Sequence, residues 1–160
     1  MLVLILELVL FLVVANGAPM VLSSLLGSRG RAVDGGLALS DGRPLFGPSK
    51  TWRGLAASVA ATGAASWLMG LGGLFGILFA AFAMLGDLMT SFLKRRLGLV
   101  SGDRARGLDQ LPEGLLPALP AWWLLEAPWW LPVLAALVFS VLNIWGSPLL
   151  YRWGLRHRPH

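Results

Sequence analysis

The sequence predicts an all-α, polytopic membrane protein with about five transmembrane helices, its N-terminus outside and its C-terminus in the cytoplasm. Three observations carry this. The 160 residues are 56% hydrophobic and only 13% charged, about half the charged fraction of an ordinary soluble domain. Apolar runs recur at lengths near the ~20 residues a spanning helix needs. Finally, all 13 Lys and Arg fall on one side of the membrane when the first loop, the second loop and the tail are placed together, while the N-terminus and the turns at Gly72 and Glu126 carry none. That is the asymmetry of the positive-inside rule. Nothing in the pattern divides the chain, so residues 1–160 read as one transmembrane domain.

Taken in order, Met1–Leu26 is a first span of about 25 residues. It is interrupted by Asn16 and Pro19 and lacks the basic start of a signal peptide. Pro19 frees backbone groups and favours a kink, and Asn16 suits a hydrogen bond between helices. Gly27–Lys50 is a polar loop rich in Gly, Arg and Asp. Leu55–Leu71 is a second span of Ala, Gly and Ser, a small-residue face that permits close helix approach and a homodimer. Gly72–Gly73 is a tight turn and Leu74–Leu93 the third span. Leu97–Pro112 is a second polar loop. Glu113–Leu125, broken by Pro117 and Pro120, forms an irregular fourth span, and Leu131–Leu150 a fifth that carries Asn143. Trp122, Trp123, Trp129 and Trp130 mark a membrane interface.

Several chemistries are excluded by composition. There are no cysteines, which removes disulfides, thiolate nucleophiles and Cys-based zinc sites. The two histidines are His157 and His160 at the end of the chain, leaving no buried imidazole for a triad. The net charge of +5 sits in short clusters beside apolar runs rather than in the continuous stripe of a nucleic-acid binder, so nucleic acid is not an expected partner.

The chemistry concentrates between Met84 and Gln110. Asp87 lies at the end of an apolar run, where a carboxylate is costly and therefore marks function. Ser91 and Lys94 follow at four and seven residues, which places the three side chains on one helix face. Arg95 and Arg96 close that helix, and Asp109 and Gln110 follow after the polar loop. Lys94 lies about 10 Å along the axis from Asp87, so the carboxylate sits just below the interface. Upstream, Lys50, Thr51 and Arg53 stand before the second span, where cations and a helix N-terminus meet and an anion site is expected. The alternative is a flanking basic cluster anchored by Trp52.

Carboxylates, bases and hydroxyls without His or Cys suit phosphate chemistry, in which the protein positions groups and neutralises charge. Asp87 and Asp109 can share a Mg²⁺, and Lys50, Arg53, Lys94, Arg95 and Arg96 can hold phosphates. The plainer reading pairs Asp87 with Lys94 or a neighbouring base to hold a bundle together.

The segments KTWRG, GDLMTSFLKRR and LDQ, in that order, resemble the CDP-archaeol synthase family, the archaeal-type relatives of the CdsA cytidylyltransferases. Ser91, Leu93, Lys94 and Arg95 match the core of the wider superfamily. ANGAP at Ala15–Pro19, the Asp34–Gly35 pair, the Phe46–Gly47 pair and Asn143 also fit, and the likeness covers most of the chain. It implies a Mg²⁺-dependent reaction in which a membrane lipid phosphate attacks the α-phosphorus of CTP, giving a CDP-lipid of archaeol or diacylglycerol type and pyrophosphate. It implies catalytic roles for Asp87, Asp109 and Lys94, with Asp87 and Asp109 as the metal carboxylates. Lys50, Thr51, Arg53, Ser91, Arg95 and Arg96 would serve the nucleotide and phosphates. Asn16, Asp34, Gln110 and Asn143 would face the lipid or support the site. The expected setting is the cell membrane, multi-pass, with the site facing the cytoplasm. The competing reading is a small transport or scaffold protein that uses Asp87 as an ion or bundle site. A CDP-alcohol phosphotransferase is disfavoured because its D-G-x-x-A-R signature is missing.

Overall fold

The structure is a computed structural model that describes residues 1–27, 30–100 and 110–152, with side chains except at 110, 111 and 145–152. The described residues form six helices: α1 (Leu2–Leu26), α2 (Trp52–Leu68), α3 (Gly73–Arg96), α4 (Gln110–Leu115), α5 (Ala118–Leu124) and α6 (Trp130–Arg152). All four long apolar runs become helices, and the irregular fourth run becomes the short pair α4 and α5, with Pro117 at the N-cap of α5. Among the described residues two helices, α1 and α3, are long and apolar enough to cross a membrane. Helix α2 begins three residues before the apolar run because Thr51 caps it, its hydroxyl accepting from the Gly54 N–H at 3.3 Å.

Helix α1 buries Leu8, Val9, Phe11, Leu12 and Ala15, the spacing of one helical face, and exposes Leu2, Val3, Leu6, Leu10 and Val13. Phe11 meets Phe75 and Phe79 of α3 edge-on, with ring centroids 6.0 and 5.9 Å apart. Leu131, Ala135 and Phe139 of α6 and Ala121 of α5 complete this core. Towards the polar end the core thins to Ala15, Ala80, Ala83 and Met84, so the helices converge where the polar groups begin.

Glycines set the closest crossings. A Cβ at Gly76 would lie 2.5 Å from the Thr62 carbonyl oxygen of α2, and one at Gly86 would lie 2.3 Å from the Pro112 carbonyl oxygen of α4. Neither neighbour is a side chain that can swing aside. The second contact matters for function, because it seats α4 against α3 next to Asp87. The loop between α1 and α2 is folded rather than loose. Antiparallel bridges join Ala32 to Thr51 and Ala38 to Pro44, and the loop lies against the C-terminal end of α3.

A polar site at the end of the helix bundle

The site is built where the C-terminal half of α3, the start of α2 and the folded loop come together. The Lys50 ammonium donates to both oxygens of Asp87, at 2.6 and 2.5 Å, and the two side chains are 21% and 19% exposed. Asp87 thus pairs with a base 37 residues upstream, on another element. Main-chain bonds fix Lys50: its carbonyl accepts from the Val33 N–H at 2.8 Å, and its N–H donates to the Gly47 carbonyl at 3.2 Å. Only the side chain is left to move.

On α3, Ser91 is buried and Lys94 half-buried, on the face that Asp87 begins. Arg95, 5% exposed, donates to the Val100 carbonyl at 3.0 Å, and its Nε has no partner among the described residues. It borders a cleft of about 370 Å³ whose walls are Arg43, Pro44, Pro48 and the Gly98–Val100 segment. Arg96 is occupied differently. One guanidinium nitrogen grips both oxygens of Asp41 at 2.7 and 2.6 Å, and the other donates to the Arg43 and Pro44 carbonyls at 3.1 and 2.7 Å. Arg43 in turn donates to the Arg96 carbonyl at 2.5 Å, a cation on the negative end of α3. Arg96, Asp41 and Arg43 therefore latch the loop to the helix.

The other predicted residues divide similarly. Thr51 is the helix cap already described, and Arg53 donates to the Gly27 carbonyl. Asp34 staples the loop: one oxygen accepts from the Gly36 N–H at 3.0 Å, the other from Phe46 and Gly47 at 2.9 and 2.8 Å. Burial pushes its carboxyl up, but the N–H groups of Gly47, Phe46 and Gly36 outweigh this and hold it below the usual value. Asp41 is also held low, chiefly by the Arg43 N–H, which outweighs desolvation, with the Arg96 guanidinium adding to the lowering. Asn16 donates within its own helix to the Leu12 carbonyl at 2.9 Å. Asn143 lies on α6, a different helix from the α3 that carries Asp87. Gln110 opens α4, whereas Asp109 lies outside the described residues.

Three contributors were missed by sequence reasoning: Gly86, Asp41 and Arg43. The Asp41–Gly42 pair is a turn signal, and the Asp41 carboxylate accepts from the Arg43 N–H at 3.1 Å. Gly86 opens the GDLMTSFLKRR segment, but nothing local signals that it packs against α4.

Among the described residues no three His, Asp or Glu side chains cluster to hold a metal. The donor chemistry still fits Mg²⁺, which uses one or two carboxylates and fills its remaining positions with water and substrate phosphate. Asp87 offers two hard oxygens, and both already hold a cation, the Lys50 ammonium.

Helices that expose apolar side chains along their length and collect bases and a carboxylate at one end define an all-α membrane protein with a polar site at its rim. A family model described as CarS-like, CDP-archaeol synthase, matches residues 1–160. A CDP-archaeol synthase of Hyperthermus butylicus is 42% identical over 118 residues, covering 67% of this chain and 66% of that protein. One of Thermococcus gammatolerans is 33% identical over 157 residues, covering 91% and 88%. A solved structure of an intramembrane enzyme for archaeal membrane lipid biosynthesis superposes with a TM-score of 0.67 at 32% identity, covering 88% of this chain and 90% of that one. The chain belongs to the CarS-like CDP-archaeol synthase family.

Proposed function

We propose that this chain is a CTP-dependent cytidylyltransferase acting on a membrane lipid phosphate. The observation that carries the reading is the Lys50–Asp87 pair at the rim of the bundle, on the helix that ends in Lys94, Arg95 and Arg96. Relatives named CDP-archaeol synthase favour an archaeol-type lipid as the acceptor.

In the proposed reaction a phosphate oxygen of the lipid attacks the α-phosphorus of CTP. The bond from that phosphorus to the bridging oxygen of the β-phosphate breaks, and pyrophosphate leaves with the bond electrons. Lys50 and Lys94 neutralise phosphate charge, as charge-assisted donors do most strongly. Arg95 is a further guanidinium facing the cleft. Thr51 and Arg53 order the start of α2, and Asp34 and Arg96 hold the loop that carries Lys50. Asp87, with Asp109, would hold a Mg²⁺, which when bound supplies positive charge to the phosphates. We place the site on the cytoplasmic side of one five-span domain, N-terminus outside, where a water-soluble nucleotide and a lipid headgroup can meet.

The test follows the label. Purified protein is given CTP labelled at either the α- or the γ-phosphate, with Mg²⁺ and one of three acceptors: an archaeol-type ether phosphate, phosphatidic acid, or none. Label in the lipid from α-labelled CTP only, with the ether phosphate preferred, supports the proposal. Transfer from γ-labelled CTP would instead make the protein a kinase. No labelled lipid with either acceptor would favour the transport or scaffold reading of Asp87.

A further inference from the structure

We propose that Lys50 is the resident counter-cation of Asp87 and exchanges with the divalent metal, so that ammonium and metal never occupy the carboxylate together. The inference rests on the cytidylyltransferase reading above and adds to it an order of events.

The geometry is that of a stand-in. The Lys50 nitrogen lies 2.6 and 2.5 Å from the two Asp87 oxygens, a near-symmetric seat in front of the carboxylate. A Mg²⁺ bound to the same oxygens at about 2.1 Å would fall inside the contact distance of that nitrogen, and two cations at such separation repel strongly. One must leave. Lys50 is the one able to go, because its backbone is fixed by Val33 and Gly47 while its four-carbon stem is flexible and carries a compact point charge. Both groups are about one-fifth exposed, so the ammonium can leave without crossing the apolar core.

Exchange has a thermodynamic consequence. In nucleotide-free protein the metal must displace an ammonium already paired with Asp87. A bound triphosphate supplies that ammonium with a new anion. Metal and CTP therefore bind with positive coupling, and each tightens the other by the same factor. Asp87 is also kept from standing as an unpaired charge near the apolar span while the site waits, a state that would be costly.

Mn²⁺ serves as the probe, its binding followed by electron paramagnetic resonance on detergent-solubilised protein without nucleotide. Lys50→Met should bind Mn²⁺ more tightly than wild type by about tenfold, the order expected from removing one competing unit charge near a protein surface. It should also lose most of the tightening that CTP produces in wild type. A second measurement uses the wild-type protein and so does not depend on the variant folding. The chain has two lysines, Lys50 and Lys94. Mn²⁺ alone should raise acetylation of Lys50 by acetic anhydride relative to Lys94, read by mass spectrometry. Unchanged or weaker Mn²⁺ binding in Lys50→Met, or no rise in Lys50 acetylation, overturns the exchange. Asp87→Asn separates the two levels. If it abolishes Mn²⁺ binding while the Lys50 readouts stay still, the exchange alone falls. If it leaves Mn²⁺ binding intact, the metal role of Asp87 falls with it.

Discussion

Replacing Gly86 with alanine tests whether the seat of α4 on α3 sets the geometry beside Asp87. The added Cβ would lie 2.3 Å from the Pro112 carbonyl oxygen, 2.6 Å from its carbonyl carbon and 2.9 Å from the Glu113 Cα. All three are backbone atoms, so α4 as a unit must retreat by about 1 Å to restore van der Waals contact. Overpacking of this kind costs about 1–3 kcal/mol, or roughly 2–12 °C in Tm for a chain of this size. The functional effect should be larger in proportion, because a shift of about 1 Å near reacting groups can cost 10²-fold in rate. Gly17→Ala is the internal control: a Cβ added there would meet nothing within 4 Å, and the helix gains up to about 1 kcal/mol from losing a glycine. Thermal unfolding in detergent and CDP-lipid formation would be measured on both variants. A Gly86→Ala protein with wild-type Tm and turnover would refute the argument that this crossing positions the site.

Other outcomes follow from the same structure. Lys50→Ala should weaken CTP binding by at least about tenfold, since a charge-assisted bond to phosphate is worth about 1.5–3 kcal/mol, while lipid-phosphate affinity changes little; equilibrium dialysis with each ligand checks this. Arg96→Ala should loosen the loop on α3, leaving the Arg43 bond to the residue-96 carbonyl, and speed proteolysis between residues 37 and 44. Asp41→Asn should do so less, because the Arg96 bonds to the Arg43 and Pro44 carbonyls survive. The Asp34 carboxyl is held below its ordinary value in the folded chain. Its contribution is therefore fully present above the ordinary carboxylate pKa of ~3.9 and is lost as pH falls through the lowered folded value. Amide exchange at Phe46 and Gly47, corrected for intrinsic rates, should accelerate below about pH 4. Asp34→Asn should already show faster exchange of the Gly36 amide at neutral pH, because its one acceptor oxygen can keep Phe46 and Gly47 while its NH₂ then faces the Gly36 N–H.

The helices were legible because an apolar run of spanning length leaves the chain few other ways to satisfy its backbone. Even the broken fourth run announced itself through Pro117 and Pro120. The face shared by Asp87 and Ser91 followed from helical spacing alone. What could not be read was the partner. Local spacing offered Lys94 to Asp87, whereas the fold supplies Lys50 from the far end of a folded loop. That loop looked featureless because its order comes from single side chains, Asp34 and Arg96, bonding backbone groups distant in sequence. Asp34–Gly35–Gly36 is nevertheless an Asx-turn pattern, and Thr51 three residues before Gly54 is a cap pattern. Both give structural roles to residues that the family likeness places at the site, Thr51 toward the nucleotide and Asp34 toward the lipid or in support.

The measurement that bears most directly on the account compares wild type with Asp87→Asn for transfer of α-phosphate label from CTP to an archaeol-type ether phosphate in the presence of Mg²⁺. Size-exclusion profiles in detergent would show that both proteins are folded. Wild type should give a labelled CDP-lipid and the variant none above background. Equal labelled product from a folded Asp87→Asn protein would contradict this, and would remove Asp87 and the pair it forms with Lys50 from the centre of the reaction.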